Sequence, residues 1–161
     1  MTNKFTVEKH WTTKSGLEAV IIMTSIGHRC GYVGVGKESP LNGIRYSDQI
    51  DLISQEQADS QSIGLKSPVL LFTATCGSDD TNKIRRSLDI VIDVHGGLTY
   101  SGNGDGEYPI ASNLWWFGFD TAHYGDNPEL GGQPLEYCID QCESMAVQLI
   151  NYGEQNDTTK N

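Results

Sequence analysis

Three features of the 161-residue sequence predict an α+β fold, a mainly antiparallel sheet with a C-terminal amphipathic helix packed on it. Short β-prone runs separated by turn residues fill the first third, an alternating aromatic run occupies residues 115 to 120, and an apolar stripe at helical spacing runs from 133 to 151. The length suits one core, so residues 1 to 153 are expected to form a single domain, with an insertion near 48 to 86 and a flexible tail at 154 to 161.

Residues 4 to 12 and LEAVIIM, 17 to 23, read as two strands joined by the turn TKSG. After SIGH, the run CGYVGVG reads as a third strand, whose glycines allow close backbone approach or a bulge, and KESPLNG follows as a loop. The first third is thus an antiparallel meander. Residues 47 to 66 are polar and resemble an exposed helix or loop, PVLLFTAT at 68 to 75 is β-prone, and CGSDDTNK is a loop. Residues 85 to 102 return to strand pattern with a kink or bulge at Gly96 and Gly97, and SGNGDGE turns the chain. In the last element Leu135, Cys138, Ile139, Cys142, Met145, Ala146, Leu149 and Ile150 share one helical face, while Gln141 and Gln148 fall among the polar residues opposite. Pro134 suits the first turn and Gly153 the stop.

A net charge of −10 argues against a long nucleic acid, whose nonspecific binding needs Lys and Arg to neutralise phosphates. It leaves room for a small anionic ligand, which needs only a few local donors. No apolar run is long enough to span a bilayer and the N-terminus lacks an apolar leader segment, so a cytoplasmic protein is expected. Four cysteines without CxxC spacing predict free thiols rather than a disulfide scaffold.

Three histidines, His28, His95 and His123, each sit near glycine and a polar partner. A binding reading surrounds a nucleotide-like small molecule with His28, Arg29, Tyr32, His95, Trp116, Asp120 and His123, using Trp116 as a stacking platform. This needs no cofactor. An enzymatic reading gives acid–base work to His95, His123 and Asp120, or a divalent metal to His95, His123 and Asp126, with Asp93 as a further oxygen donor. The bland alternative is that these groups only hydrogen-bond turns at strand ends. Cys30 as a nucleophile would need His28 or Arg29 to lower its pKa, and its place in CGYVGV suits a buried strand position better. HGG at 95 to 97 is neither a dinucleotide fingerprint nor a phosphate loop.

The segments GHRCGYVGV, DVHGGLTYSG and WWFGFDTAHYGD, followed by the LEYCIDQCESMAVQL helix, resemble a group of short, largely uncharacterised proteins encoded by bacteriophages and bacteria. Thr121 stands where that resemblance leads one to expect cysteine. The resemblance implies a phage or mobile-element origin and, by analogy, a protein that sequesters or cleaves a nucleotide-derived host immune signal. A third reading, an acidic inhibitor of a host effector protein, needs no pocket. A homo-oligomer with a site between subunits is compatible with all three.

Overall fold

The computed structural model describes residues 5–52, 84–103 and 108–155. In chain order the strands are β1 (Phe5–Thr12), β2 (Glu18–Thr24), β3 (Arg29–Val35), β4 (Gln49–Leu52), β5 (Ile84–Ser87), β6 (Tyr100–Asn103) and β7 (Trp115–Asp120). The helices are α1 (Leu88–Val91) and α2 (Leu135–Gln155). An antiparallel sheet of five strands, in the order β1-β2-β3-β7-β6, carries α2 on one face, which is the expected α+β architecture. Among the described residues no helix is long and apolar enough to cross a membrane.

The first three strands form the expected meander. Thr13 closes the first turn, its hydroxyl accepting from the Leu17 amide and its carbonyl from the Gly16 amide. On the edge strand β1 a bulge between Val7 and Lys9 leaves Glu8 out of the ladder, and the Glu8 carboxylate meets Arg29 at 2.6 Å. Charge and bulge together make β1 a poor template for a further strand.

The central pair, β3 and β7, explains the glycines. In register, Gly31 faces Phe119, Tyr32 faces Gly118 and Gly34 faces Trp116. Each ring lies over the neighbouring strand where a side chain is missing: a Cβ on Gly31 would sit 2.5 Å from the Phe119 ring and 2.9 Å from the Cys142 sulfur. CGYVGV and WWFGF are therefore complementary halves of one packing unit.

Two apolar layers flank this pair. On the helix side Ala19, Ile21, Val33, Phe117 and Phe119 pack against Cys138, Cys142, Met145 and Leu149 of α2. On the other side Val20, Ile22, Cys30, Tyr32 and Trp116 are covered by Phe5, Tyr100, Tyr108, Ile110 and Leu114. The expected alternation along 115 to 120 holds, but both faces are core.

Two expectations are corrected. Residues 85 to 102 do not form one strand: β5 pairs with β4, then Leu88 and Val91, three residues apart, turn inward on the helical turn α1 before β6 begins. Burial of both apolar side chains on one turn outweighs the β-propensity of DIVIDV. Gly153 does not stop α2, which continues to Gln155; the glycine lies inside the helix beside Ser39, Pro40 and Leu41, which a Cβ there would meet at ordinary contact distances of 3.6–4.0 Å. The strands β4 and β5 flank residues 53–83, so the readings of 53–83 and of the tail beyond 155 lie outside the described residues.

Candidate functional site

At one end of the sheet, β2 ends, β3 begins and β7 runs out into the turns that follow Asp120. The turn between β2 and β3 is closed by Thr24, whose amide donates to the His28 carbonyl at 2.9 Å and whose hydroxyl lies 3.2 Å from His28 Nδ1. Beyond β7, Thr121 is buried and its hydroxyl donates to the Arg29 carbonyl at 2.8 Å, with the Gly131 carbonyl at 3.2 Å. No thiol chemistry is available at that position. Gly132, with φ at +88°, passes so close to Thr121 that a Cβ would overlap it. These contacts fold residues 121 to 132 back against the start of β3 and leave a cleft of about 280 Å³ lined by His28, His123, Asp126, Ile26, Ala122 and Pro128.

Asp126 organises the cluster. Its carboxylate is 5% exposed and accepts from Gln133 Nε2 at 2.8 Å, from the His123 amide at 2.9 Å and from His95 Nε2 at 2.8 Å. Burial works against its charge, but the hydrogen bonds from Gln133, the His123 amide and His95 outweigh burial and hold the carboxyl below its ordinary range. An ionised carboxylate only accepts, so His95 carries its proton on Nε2, and in the neutral ring Nδ1 accepts from the Tyr137 hydroxyl at 3.0 Å.

His123 is the less constrained imidazole. Its ring centroid is 6.0 Å from that of His95, and its Nε2 lies 3.1 Å from Asp120 Oδ1. That approach is close enough for an ion pair but not aligned as a hydrogen bond, so Nε2 is a buried nitrogen without a hydrogen-bond partner. The side chain as a whole is 35% exposed. Asp120 is itself fixed, accepting from the Thr99 hydroxyl and the Ala122 amide, each at 3.0 Å.

The three histidines thus converge, and Asp120 and Asp126 come with them. Other candidates fall elsewhere. Trp116 is wholly buried in the second layer, where its indole N–H donates to Ser112 at 2.9 Å, so it has no face free for stacking. Tyr32 is 3% exposed in the same layer, bonded to the Tyr108 hydroxyl, and burial pushes its phenol far above the ordinary range. Arg29 spends its guanidinium on Glu8 and on the carbonyls of Leu130 and Gln133, which makes it a brace for the 128–133 turn. Asp93 is held by its backbone, through Gln148. Burial raises the Cys30 thiol to about 11, which removes it as a nucleophile at neutral pH. Cys30, Cys138 and Cys142 are free thiols, as expected.

Among the described residues no group of three or more His, Cys, Asp or Glu side chains is arranged to hold a metal ion. His95 Nε2 and the Asp126 carboxylate are engaged with each other.

The sequence reading missed a polar stripe on α2. Tyr137, Gln141 and Gln148, with Gln133 just before the helix, contact the site or its supporting loop: Gln141 accepts from the His95 amide at 2.7 Å, and Gln148 binds both the amide and the carbonyl of Asp93. Their spacing of four, four and seven residues was the available signal, since such positions share a helix face.

The HGG segment has a steric reason. Gly96, with φ at +69°, lies where a Cβ would overlap His123 Nε2, whereas a Cβ on Gly97, with φ at +79°, would meet only the Asp89 carbonyl oxygen at an ordinary 3.8 Å. Both Gly96→Ala and Gly97→Ala are expected to cost about 1–2 kcal/mol of backbone strain. Only Gly96→Ala should also displace the His123 ring. Urea unfolding of the two variants, with the His123 ring proton shifts read by NMR, separates strain from displacement.

No family model, curated protein or solved structure matches this chain.

Proposed function

We propose that the sheet-end cleft binds a small nucleotide-derived molecule and that His123 supplies acid–base chemistry there. The observation that carries this reading is the convergence of His28, His95 and His123 with Asp120 and Asp126, which leaves a partly exposed His123 ring on a cleft with a buried, unbonded nitrogen. Buried polar atoms without a partner are rare in folded proteins, and one on the ring of a cleft-lining histidine is open to a ligand or water. The cleft volume of about 280 Å³ suits a phosphate ester with part of its sugar, and the net charge of −10 disfavours a polymer.

In this reading the Asp120 carboxylate, 3.1 Å from His123 Nε2, favours a proton on that nitrogen through its charge, leaving Nδ1 as the base. His123 takes a proton from water as the water oxygen bonds to phosphorus. The bond from phosphorus to the leaving oxygen breaks, and His28, on the same cleft, returns a proton to that oxygen. His95, locked between Tyr137 and Asp126, positions the His123 turn and takes no proton from the substrate. In this reading the reaction is written without a metal, with His95 Nε2 and the Asp126 carboxylate engaged with each other.

Incubation with cyclic mononucleotides, cyclic dinucleotides and cyclic ADP-ribose isomers, followed by heat release and chromatography, tests the proposal. Hydrolysis products that vanish in His123→Ala support catalysis. Ligand returned intact by the native chain and not retained by His123→Ala supports sequestration in the same cleft. Either result suits the phage anti-defence role that the sequence resemblance suggests. If no compound is held or altered, the small-molecule reading fails and the acidic inhibitor of a host protein takes its place.

A further inference from the structure

Among the described residues, four of the exposed large apolar side chains belong to segments that form or support the cleft. Ile26 is 82% exposed and lines it directly. Tyr124, adjacent to His123, is fully exposed; Leu130 is 51% exposed in the short turn whose Pro128 lines the cleft; and Tyr137 is 37% exposed with its hydroxyl on His95. They come from three separate segments, the β2–β3 turn, the loops after β7 and the first turn of α2. Single exposed apolar residues are ordinary, but Ile26 lines the cleft itself and Tyr124 directly follows the cleft-lining His123.

Volume bounds the occupant. At about 280 Å³ the cleft lies just below the range in which pockets enclose a whole organic ligand, so a nucleotide placed with its phosphate beside His123 extends past the cleft mouth. We propose that the rim recognises a nucleobase: the phosphate and sugar enter the polar cleft, and the base lies across the rim against Ile26 and the ring of Tyr124. This rests on the reading of the cleft as a phosphate-ester site and deepens it, assigning ligand preference to Ile26 and Tyr124. An aromatic ring free on both faces accepts any planar base, and an exposed branched side chain on a glycine-containing turn supplies the opposing apolar edge. The rim therefore selects for the presence of a base more than for its identity.

The test is isothermal titration of the native chain, Tyr124→Ala, Ile26→Ser and His123→Ala with 5′-AMP, 5′-UMP, 3′,5′-cyclic AMP and ribose 5-phosphate. The native chain is expected to bind at least one of the three nucleotides about tenfold or more tightly than ribose 5-phosphate. Tyr124→Ala removes that difference and leaves ribose 5-phosphate binding unchanged, Ile26→Ser lowers nucleotide affinity more than ribose 5-phosphate affinity, and His123→Ala weakens both kinds of ligand. Equal binding of ribose 5-phosphate and the nucleotides by the native chain overturns the nucleobase assignment and leaves the phosphate-ester site standing. Absence of binding by all four probes overturns both. Sedimentation of the native chain and Tyr124→Ala adds a further arm: a dimer that dissociates in the variant gives the rim to a second copy of the chain and overturns the proposal, whereas identical sedimentation agrees with it.

Discussion

Trp116→Ala is expected to lower the unfolding free energy by about 3–5 kcal/mol, the largest effect of any single substitution considered for this protein. Trp116 is the largest of the fully buried side chains, and it has glycine opposite it on both neighbouring strands, Gly34 on β3 and Gly102 on β6. Neither neighbour has a side chain that could fill the space left by the indole, so the cavity stays open. The lost indole N–H also leaves Ser112 without one of its partners. Trp116→Phe keeps most of the ring and should cost less. Urea unfolding followed by circular dichroism measures both. Four residues of extended strand, about 13 Å, separate Trp116 from Asp120. Trp116→Phe should accordingly bind cleft ligands like the native chain; a variant that folds normally but loses the ligand would restore Trp116 to the site.

Asp126→Asn should have the second largest effect and should change the pH dependence of stability. The substitution replaces an anionic acceptor shared by Gln133, His95 and the His123 amide, and hydrogen bonds to charged groups contribute about 1.5–3 kcal/mol each in net terms. Because these bonds are mutually dependent, the expected loss is about 3 kcal/mol rather than their sum. The sign with pH follows from the lowered carboxyl. In the unfolded chain Asp titrates near about 3.9, and in the folded chain lower. Its stabilisation is therefore complete above the unfolded value and is lost as pH falls through the folded one. Native protein should lose stability between about pH 5 and the folded value, and Asp126→Asn should show a shallower slope there. Equal acid slopes for the two proteins would show that Asp126 is not held ionised by the cluster. Turnover or binding at the cleft should fall in the same variant, since the His123 turn is no longer anchored.

Much of the fold was legible because its elements are locally consistent. Thr13 and Gly16 close a turn between two β-prone runs, and the apolar stripe of α2 can be buried only on one side. Period-two alternation correctly separated Phe117 and Phe119 from Trp116, but it says only that a strand has two faces. What covers each face depends on distant segments. Phe5, Tyr100, Tyr108 and Ile110 make the second layer over Trp116, and their contribution has no local signature. For the same reason Gln141 and Gln148 read as solvent-facing residues of an amphipathic helix, although the structure sets them against the loop that carries His95.

The helical turn α1 shows a different kind of conflict. DIVIDV has strand propensity, yet placing Leu88 and Val91 in the core requires three-residue spacing on one side. Tertiary burial decided between the two.

By itself the sequence determined the α+β class, the meander, the strand at 115 to 120 and the C-terminal helix, since hydrophobic period and turn chemistry act within a few residues. It also marked His28, His95, His123, Asp120 and Asp126 as polar groups at element ends. Only the tertiary structure decided that these five meet, that Arg29 braces a turn and that Trp116 and Tyr32 belong to the core. Those outcomes depend on register between β3 and β7, on the fold of residues 121 to 132 over Arg29 and on the docking of α2. Each brings together groups tens of residues apart, where packing and hydrogen-bond geometry, rather than local pattern, select the partners.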